Sequence, residues 1–353
     1  MAKRKSEVVD KPTKKPHKSL PETQFSICIP STIISSSNAK NLQQITNIAY
    51  QISKILTIYN VPEIIILDVP SIEDRNNIIE KQSTPAVKLD KKIKFNEVVQ
   101  EEELNDIISK ERSDKNENNS ELFANLLQYF ITPPYLTKPV FKPEIIKKFT
   151  YADKFPKIST LPFMNNNEVS KNFKEGITIA KKSPGKKKKN KLKVTKYVNI
   201  GESKPFELSI EVPVNVRVTV DLINKKIVSP LTAYGTVGSK SSFGYFTRIV
   251  KTFNELFTKS AIPEGYTSSV YIDCDNYFSN NGEFSSELPT FTKENNKVLL
   301  VFGNPKDLEF SFNQDKSLDL PDFKQLFDKT LSIPTNIRIE DAVMIALTKL
   351  YNP

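Results

Sequence analysis

The sequence contains a single histidine, His17, close to its N-terminus. A histidine general base, alone or paired with a serine or cysteine nucleophile, is therefore not expected in this protein. The sequence also lacks a P-loop and a GxGxxG fingerprint, and no cluster of ligand residues indicates a metal site. If the chain is an enzyme, the reactive group must come largely from a cofactor.

Cysteines and long apolar runs are also scarce. Cys28 and Cys274 are far apart, so a disulfide framework or zinc site is not expected, and a reducing compartment fits best. The longest apolar runs, such as residues 64–67 and 298–302, fall far short of the roughly 20 residues that span a bilayer. Residues 1–18 are basic with no apolar stretch behind them, which is unlike a secretory signal. We therefore expect no membrane association.

Positive charge is concentrated in two segments. Residues 1–20 hold seven Lys or Arg and two acids, and residues 181–196 hold nine lysines and no acid, whereas the whole chain carries a net charge of +10. The remainder is therefore net negative. Concentrated lysine favours phosphate contacts that gain affinity by counterion release, so we predict RNA as the partner; a solvated basic tail without a fixed partner is the alternative. The predicted RNA contacts are Lys186, Lys187, Lys188, Lys189, Lys191 and Lys193.

The first part of the folded region has the pattern of a βαβ unit. Residues 25–34 form an apolar, β-branched run that is typical of a strand, and residues 35–60 repeat apolar side chains at helical spacing. A second apolar strand follows at residues 61–70. Strand, helix and buried strand in succession predict a parallel sheet with a right-handed crossover.

The remaining segments of the N-terminal two thirds of the chain differ in their sequence patterns. Residues 1–23 are predicted to be a disordered tail, and residues 71–120, which lack periodicity, a long and partly disordered insertion. A helix is predicted over residues 121–130. Between residues 150 and 226, short strand-like pieces separated by glycine and proline predict a small β-barrel, with the lysine run on a hairpin loop.

The C-terminal part returns to an α/β pattern. Residues 244–260 carry apolar side chains on one broad face and are predicted to form a helix. Strands are predicted over residues 266–275 and 298–303. The last predicted helix covers residues 338–350, and acidic residues occupy its first turn, where they suit the helix dipole.

Three loops that follow C-terminal strands form the predicted binding pocket. They are residues 272–277 (IDCDNY), 301–309 (VFGNPKDLE) and 331–342 (LSIPTNIRIEDA). In open α/β sheets, ligands bind outside the carboxyl ends of the strands. Ordinary surface connections are the alternative that this spacing leaves open.

A series of short segments follows one order along the chain: SICIPSTI, EIIILD, LLQYFITPPYLTKPVF, FKEGITIA, VNIG, VRVTVDL, SPLTAYGTVGSKSSFGYFTRI, VLLVFGNPKDLE and PTNIRIEDAVMIALTKL. This order resembles the SPOUT, or trefoil-knot, RNA methyltransferases, in the branch that carries a small barrel within the knotted domain. The resemblance covers roughly residues 24–70 and 121–353. No single motif is highly specific, but their order is.

The resemblance implies an α/β fold in which a knotted parallel-sheet domain, residues 24–149 and 227–353, carries an inserted OB-like β-barrel, residues 150–226. It also implies a dimer, formed with a second copy or with a paralogue. It implies that backbone groups of the three loops hold S-adenosylmethionine. The cofactor residues carried over are Ile272, Asp273, Phe302, Gly303, Asn304, Leu308, Ile333, Pro334, Ile337, Arg338 and Ala342.

Two arginines match arginines of the family. The resemblance implies that Arg248 contacts RNA phosphate or the reacting base, and it is the one catalytic residue carried over; a surface arginine on an amphipathic helix is the alternative. Arg338 is expected to order the knot, with a ligand role second.

All three loops depart from the glycine-rich pattern of the family. The first loop has no glycine, the second has Asn304 and Asp307 where glycines are usual, and the third is shorter. Glycine lets a backbone approach a ligand closely, so these changes add side chains where adenosine should lie. Asp273 or Asp307 could instead contact the ribose hydroxyls.

Two functions are therefore predicted. The first is methyl transfer from S-adenosylmethionine to RNA, with ribosomal RNA as the expected target. The second is a degenerate family member that binds RNA as a ribosome-assembly factor, or that supports an active paralogue in a dimer. The basic N-terminus resembles a nuclear address, and we expect a nuclear, nucleolar protein.

Overall fold

The computed structural model describes residues 23–71, 75, 118–164, 172–180, 193–234, 244–260, 262, 264–274, 289, 291, 296–334 and 337–351. The predicted basic tail lies outside these residues apart from residue 23, and so does most of the predicted 71–120 insertion. None of the helices in these ranges combines the length and the apolar character that crossing a membrane requires.

A parallel sheet occupies the centre of the larger part of the chain. Within the described residues it has six strands in the spatial order β11-β9-β10-β1-β2-β8, and every neighbouring pair is parallel. This confirms the predicted α/β fold. The strands are β1 (Gln24–Pro30), β2 (Glu63–Leu67), β8 (Phe246–Val250), β9 (Ser268–Asp273), β10 (Lys297–Gly303) and β11 (Lys329–Leu331).

Helices and short 3-10 turns pack around the two sheets of the structure. The helices are α1 (Leu42–Ile58), α2 (Asn119–Phe130), α3 (Thr137–Val140), α4 (Pro143–Ile146), α5 (Pro230–Tyr234), α6 (Glu255–Thr258), α7 (Pro305–Gln314) and α8 (Ile339–Tyr351). The 3-10 turns are Ser31–Ile34, Pro134–Leu136, Lys147–Phe149, Ala152–Lys154 and Phe323–Leu326. The helices predicted over residues 121–130 and 338–350 are confirmed.

The predicted βαβ unit is formed by β1, α1 and β2. The side chain of Asn41 accepts a hydrogen bond from the N–H of Gln44 at 2.9 Å, and the side chain of Gln44 accepts one from the N–H of Lys40 at 2.7 Å. These bonds satisfy donors that the start of a helix leaves unpaired. All five residues of β2 are buried, as expected for a parallel strand covered on both faces.

Two hydrophobic clusters lie on opposite faces of the sheet. Residues of α1, α2 and α8 pack against one face, and α7 packs with Phe253, Phe323 and Phe327 against the other. Fully buried side chains such as Ile52 and Leu347 occupy the first cluster. Each such side chain contributes roughly 1.5–3 kcal/mol of transfer free energy, so the two clusters fix the three-layer arrangement.

The helix predicted over residues 244–260 is wrong. Residues Phe246–Val250 form the edge strand β8, which pairs with β2, and only the four-residue α6 follows. Ile249 packs in one hydrophobic cluster and Val250 in the other. Because both sheet faces are covered, the strand is apolar on both sides, and a short apolar run of this kind fits a helix or a strand equally well.

The second sheet is antiparallel and nearly closed. Its spatial order is β5-β4-β3-β6-β7, and the N–H of Ser209 on β5 donates to the carbonyl of Lys225, next to β7, at 3.0 Å. Short strands of a barrel-like sheet are therefore confirmed here, whereas an OB fold stays a prediction. The strands are β3 (Phe173–Thr178), β4 (Val194–Asn199), β5 (Phe206–Pro213), β6 (Arg217–Asp221) and β7 (Lys226–Val228).

Contacts across the predicted domain boundaries are extensive. Ile158 and Leu161 pack in the cluster of α1 and α2, although the predicted barrel begins at residue 150. Gly201, beyond β4, adopts a φ of +81°, and a Cβ atom there would lie 2.5 Å from Cδ2 of Tyr135. The division of the chain at residues 150 and 226 stays a prediction.

A buried ion pair lies where the two sheets meet. Nε of Arg217 on β6 is 3.3 Å from Oε2 of Glu175 on β3, and Nη1 of Arg217 donates to the carbonyl of Ile131 at 2.9 Å. Burial raises the pKa of Glu175 and lowers the pKa of Arg217, and the attraction between the charges opposes both shifts. The pair therefore joins the small sheet to the segment after α2.

Candidate functional site

The three predicted loops leave neighbouring strands at one edge of the parallel sheet. Asp273, the last residue of β9, is in register with Gly303, the last residue of β10, and Ile272 is in register with Leu331 of β11. The N–H of Cys274 donates to the carbonyl of Gly303 at 3.1 Å. The carboxyl ends of the strands therefore adjoin, as in α/β sheets that bind ligands at this edge. Residues 275–277, 335 and 336 of these loops lie outside the described residues.

The predicted cofactor residues divide into buried and accessible groups. The buried side chains belong to the core, and only their backbone could reach a ligand: Ile272, Phe302, Leu308, Ile333 and Ala342. Asp273, Pro334 and Arg338 are exposed, and Asn304 and Ile337 are half-buried. The polar side chains among the exposed and half-buried residues are those of Asp273, Asn304 and Arg338.

The second loop is built as a helix start. The side chain of Asn304 accepts a hydrogen bond from the N–H of Lys306 at 2.9 Å and thereby caps α7. A Cβ atom on Gly303 would lie 3.1 Å from Cγ of Leu308, so the missing side chain at Gly303 makes room for Leu308. Both features are explained by helix capping and packing.

Asp307 has both carboxylate oxygens occupied. Oδ1 accepts a hydrogen bond from Nη2 of Arg75 at 2.6 Å, and Oδ2 accepts one from Oγ1 of Thr32 at 2.5 Å. Arg75 is largely buried and also lies over the ring of Phe310, 4.9 Å from its centroid. The sequence analysis allowed a contact between Asp307 and the ribose hydroxyls. Such a contact would have to replace these two bonds.

The third loop leads into α8 through an ion pair. Nε of Arg338 bonds the carboxylate of Glu340, which is buried, and the N–H of Ala342 donates to the carbonyl of Arg338 at 2.9 Å. Nζ of Lys349 donates to the carbonyl of Ser332 at 3.3 Å. The first two bonds order the start of α8, and the third ties its last turn to the residue after β11. The ordering role of Arg338 stays a prediction.

Arg248 lies far from the three loops within this chain. It is on β8, and the strands β10, β1 and β2 lie between β8 and β9, which places β8 roughly 19 Å from β9. Its Nε is 3.0 Å from Oε1 of Glu63, and Nη1 donates to the carbonyl of Glu255 at 3.0 Å. Since it is on a strand and is largely buried, the alternative of a surface arginine on an amphipathic helix is wrong.

The predicted RNA-contacting lysines lie on the connection between β3 and β4. Lys193 is exposed, and its carbonyl accepts a hydrogen bond from the N–H of Val214 at 3.1 Å. The other five, Lys186, Lys187, Lys188, Lys189 and Lys191, lie outside the described residues. Because β3 and β4 pair antiparallel, the lysine run joins two neighbouring strands, as the predicted hairpin requires.

A groove that the sequence did not indicate lies between α1 and the start of α8. Its volume is about 800 Å³. Polar side chains of residues 37–51, Phe155 and the start of α8 line it. The available signal was a row of amide side chains at helical spacing, Gln43, Asn47 and Gln51, on a helix whose other face is apolar.

These features define a parallel α/β protein whose adjoining strand ends form a ligand edge and whose second, antiparallel sheet carries a lysine-rich connection. A family model described as "Putative RNA methyltransferase" matches residues 24–350. The chain belongs to this family of SPOUT RNA methyltransferases.

Relatives match over most of the chain. It is 37% identical over 347 residues to "Putative methyltransferase YMR310C" of Saccharomyces cerevisiae, covering 96% of each protein. It is 33% identical over 344 residues to "Putative methyltransferase YGR283C" of the same organism, covering 92% of this chain and 87% of the relative. The mouse "28S rRNA (uridine-N(3))-methyltransferase" is 25% identical over 346 residues, covering 92% of this chain and 75% of the relative.

Proposed function

We propose that the protein acts on ribosomal RNA, or its precursor, by methyl transfer from S-adenosylmethionine bound at the carboxyl ends of β9, β10 and β11. The observation that carries this proposal is the register that brings Asp273, Gly303 and Leu331 to one sheet edge. The names of the mouse relative and of a fruit-fly relative, both 28S rRNA methyltransferases, support ribosomal RNA as the target.

The first and third loops fit the cofactor better than the second does. Asp273 is exposed at the end of β9 and can accept hydrogen bonds from ribose hydroxyls. Backbone groups beyond Leu331 and the exposed Arg338 flank the same edge. When bound, S-adenosylmethionine supplies an electrophilic methyl group. The protein would position the nucleotide beside it and exclude water; a direct contact of Arg248 with RNA stays a prediction.

The lysine run is proposed to hold RNA phosphates. It carries nine lysines and no acid over residues 181–196, and each phosphate neutralised on single-stranded nucleic acid contributes about −0.7 to the salt slope of log K. Deleting residues 181–193 is expected to weaken RNA binding and to flatten this slope. An unchanged slope would assign the lysines to solubility or targeting.

A dimer is proposed through the end of α1 and the exposed face of α8. Ile58, Met344 and Tyr351 are exposed there, and Tyr59 packs against Tyr351 with ring centroids 5.7 Å apart. The partner is a second copy or a paralogue, and two S. cerevisiae relatives of similar extent support a pair of paralogues. Light scattering of the purified chain separates the two, since a monomer in isolation argues for a paralogue.

Because ribosomal RNA is the proposed target, we also propose a nucleolar location. Fluorescent tagging of the protein in cells tests it.

The second loop favours another candidate function, RNA binding in ribosome assembly without methyl transfer. Asp307 is held by Arg75 and Thr32, and Asn304 caps α7. These side chains stand where the family has glycine, and they leave less room for adenosine beside the backbone.

Calorimetric titration with S-adenosylmethionine separates the two candidates. If the protein transfers a methyl group, S-adenosylmethionine should give binding heat and thermal stabilisation. Asp273→Ala should weaken both effects. The control is Asp319→Ala, an exposed position on the connection between α7 and β11, which should leave both unchanged. Transfer of a labelled methyl group to ribosomal RNA, lost in Asp273→Ala, completes the test. Absence of heat and of stabilisation at millimolar donor, with RNA binding retained, would leave the assembly function.

A further inference from the structure

The groove beside α1 has the chemistry of a nucleobase site. Gln43, Asn47 and Gln51 recur at four-residue spacing, so they form one stripe on α1 that faces the groove. Within the described residues their side-chain amides have no hydrogen-bond partner. An amide offers two donors and an acceptor, which matches the mixed donor and acceptor edges of unpaired bases.

An aromatic ring stands at the wall of the groove. Phe155 is half-buried, and Tyr50 supports it from behind with ring centroids 4.8 Å apart. Single-stranded RNA is recognised by stacking splayed bases on aromatic side chains and bonding their edges. A volume of about 800 Å³ lies within the range of small-molecule pockets and is large enough for a nucleotide.

Exposed lysines flank Phe155 in the sequence and recur along the segment that precedes it. Residues 138–157, here the lysine ledge, contain six lysines and two acids, in a chain whose remainder outside its two basic runs is net negative. Lys138, Lys142, Lys147, Lys154 and Lys157 are exposed. Of the two acids, Asp153 accepts a hydrogen bond from Tyr129. The ledge is therefore a third concentration of positive charge, separate in sequence from the barrel hairpin.

We propose that the groove and the lysine ledge form a second RNA site, which binds single-stranded RNA with phosphates on the lysines and a base between the amide stripe and Phe155. This inference rests on RNA being the partner of the protein. Most of this site lies outside the three loops and the lysine run. It would fix where the strand leaves the sheet edge, because Arg338 and Asp341 of the third loop also line the groove.

Fluorescence anisotropy with single-stranded oligouridylate and oligoadenylate of about 12 nucleotides tests the site in the full chain. Changing Lys138, Lys142 and Lys147 together to Ala should lower the magnitude of the salt slope by about 2. The matched control is Lys316→Ala with Lys324→Ala, exposed lysines on the opposite sheet face, which should leave the slope nearly unchanged. Phe155→Leu should weaken binding about tenfold at constant slope, since it removes a stacking surface and no charge.

The stripe has its own test. Gln43→Ala, Asn47→Ala and Gln51→Ala combined should alter the ratio of the two affinities, because amides read base edges, and a stacking-only contact would leave that ratio fixed. Ultraviolet crosslinking of 4-thiouridine RNA should label the peptide that holds Phe155. Light scattering and thermal unfolding of each variant report assembly and folding.

The outcomes are distinguishable. If neither oligonucleotide nor ribosomal RNA binds the wild-type chain, the proposed function fails. If RNA binds and only the hairpin deletion weakens it, the groove and ledge are not a site and the inference is overturned. If the stripe variants change the mass of the assembly with RNA affinity intact, the groove is a protein interface, which also overturns it.

Discussion

Arg75 donates a hydrogen bond from Nη2 to Oδ1 of Asp307 over 2.6 Å, so a residue beyond β2 is tied to the first turn of α7. The bond crosses the sheet edge where the second loop lies. It gives Asp307 a structural role at a position where the resemblance to the family implies glycine, and it anchors the second loop.

The first prediction concerns this bond. Asp307→Asn keeps the size of the side chain and removes its charge, and we expect the free energy of unfolding to fall by about 1.5–3 kcal/mol, the range of a hydrogen bond to a charged group. Urea unfolding measures it, with the exposed Asp319→Asn as control. A double variant with Arg75→Leu should lose less than the sum of the single losses, and strict additivity would show that the two side chains do not interact.

The second prediction concerns Arg248. Arg248→Ala should destabilise the protein by about 3–5 kcal/mol, because Glu63 is left buried with Tyr266 as its remaining side-chain partner, whose hydroxyl donates at 2.8 Å. Arg248→Met with Glu63→Gln should recover part of the loss. If Arg248→Ala has the same urea midpoint of unfolding as the wild type but loses RNA methylation, a direct contact with the substrate would explain the role of Arg248 better than the ion pair does.

The third prediction compares two glycines with left-handed backbones. Gly201 has a φ of +81° and Gly265 a φ of +75°, so alanine at either costs about 1–2 kcal/mol of backbone strain. Only at Gly201 does the new Cβ meet another side chain, that of Tyr135, and overpacking adds about 1–3 kcal/mol. The melting temperature of Gly201→Ala should therefore be lower than that of Gly265→Ala. Equal losses would mean that Tyr135 moves aside without cost.

The fourth prediction concerns the two thiols. Burial raises the pKa of Cys28 and of Cys274 far above the ordinary thiol value, and the thiolate is the reactive form. Both should stay unmodified by iodoacetamide at pH 8 in the folded protein and react in denaturant, as counted by mass spectrometry. Rapid labelling of Cys274 in the native protein would instead show that the end of β9 opens, with Cys28 on a central strand as the internal control.

Much of the large domain could be predicted because its signals are local. The apolar spacing of α1 and the continuous apolar run of β2 each follow from one burial pattern, and both elements are present. The helix predicted over residues 244–260 was wrong because the same apolar residues fit either a helix or an edge strand that is covered on both faces. Which one forms is decided by whether β2 offers an unpaired edge, and that is not encoded in the local pattern.

The position of the site could be predicted from the strand topology, whereas the contacts of its side chains could not. The adjacency of the three loops follows from parallel strands in the order β11-β9-β10. The partners of Asp307 could not be predicted, because Thr32 and Arg75 lie more than 200 positions away in sequence. The groove beside α1 was missed for a similar reason, since Phe155 and the residues at the start of α8 that complete its lining are distant from α1 in sequence.

By itself the sequence determined the parallel α/β frame, the short strands of the second sheet, the two basic segments and the order of motifs that identifies the family. These depend on periodicity and composition, which are properties of neighbouring residues. Tertiary structure alone decided that Asp307 is held by Arg75, that Arg248 is anchored to Glu63, and that a row of amides meets an aromatic ring and a lysine ledge. Those relationships join distant parts of the chain, and only the packed fold sets their distances.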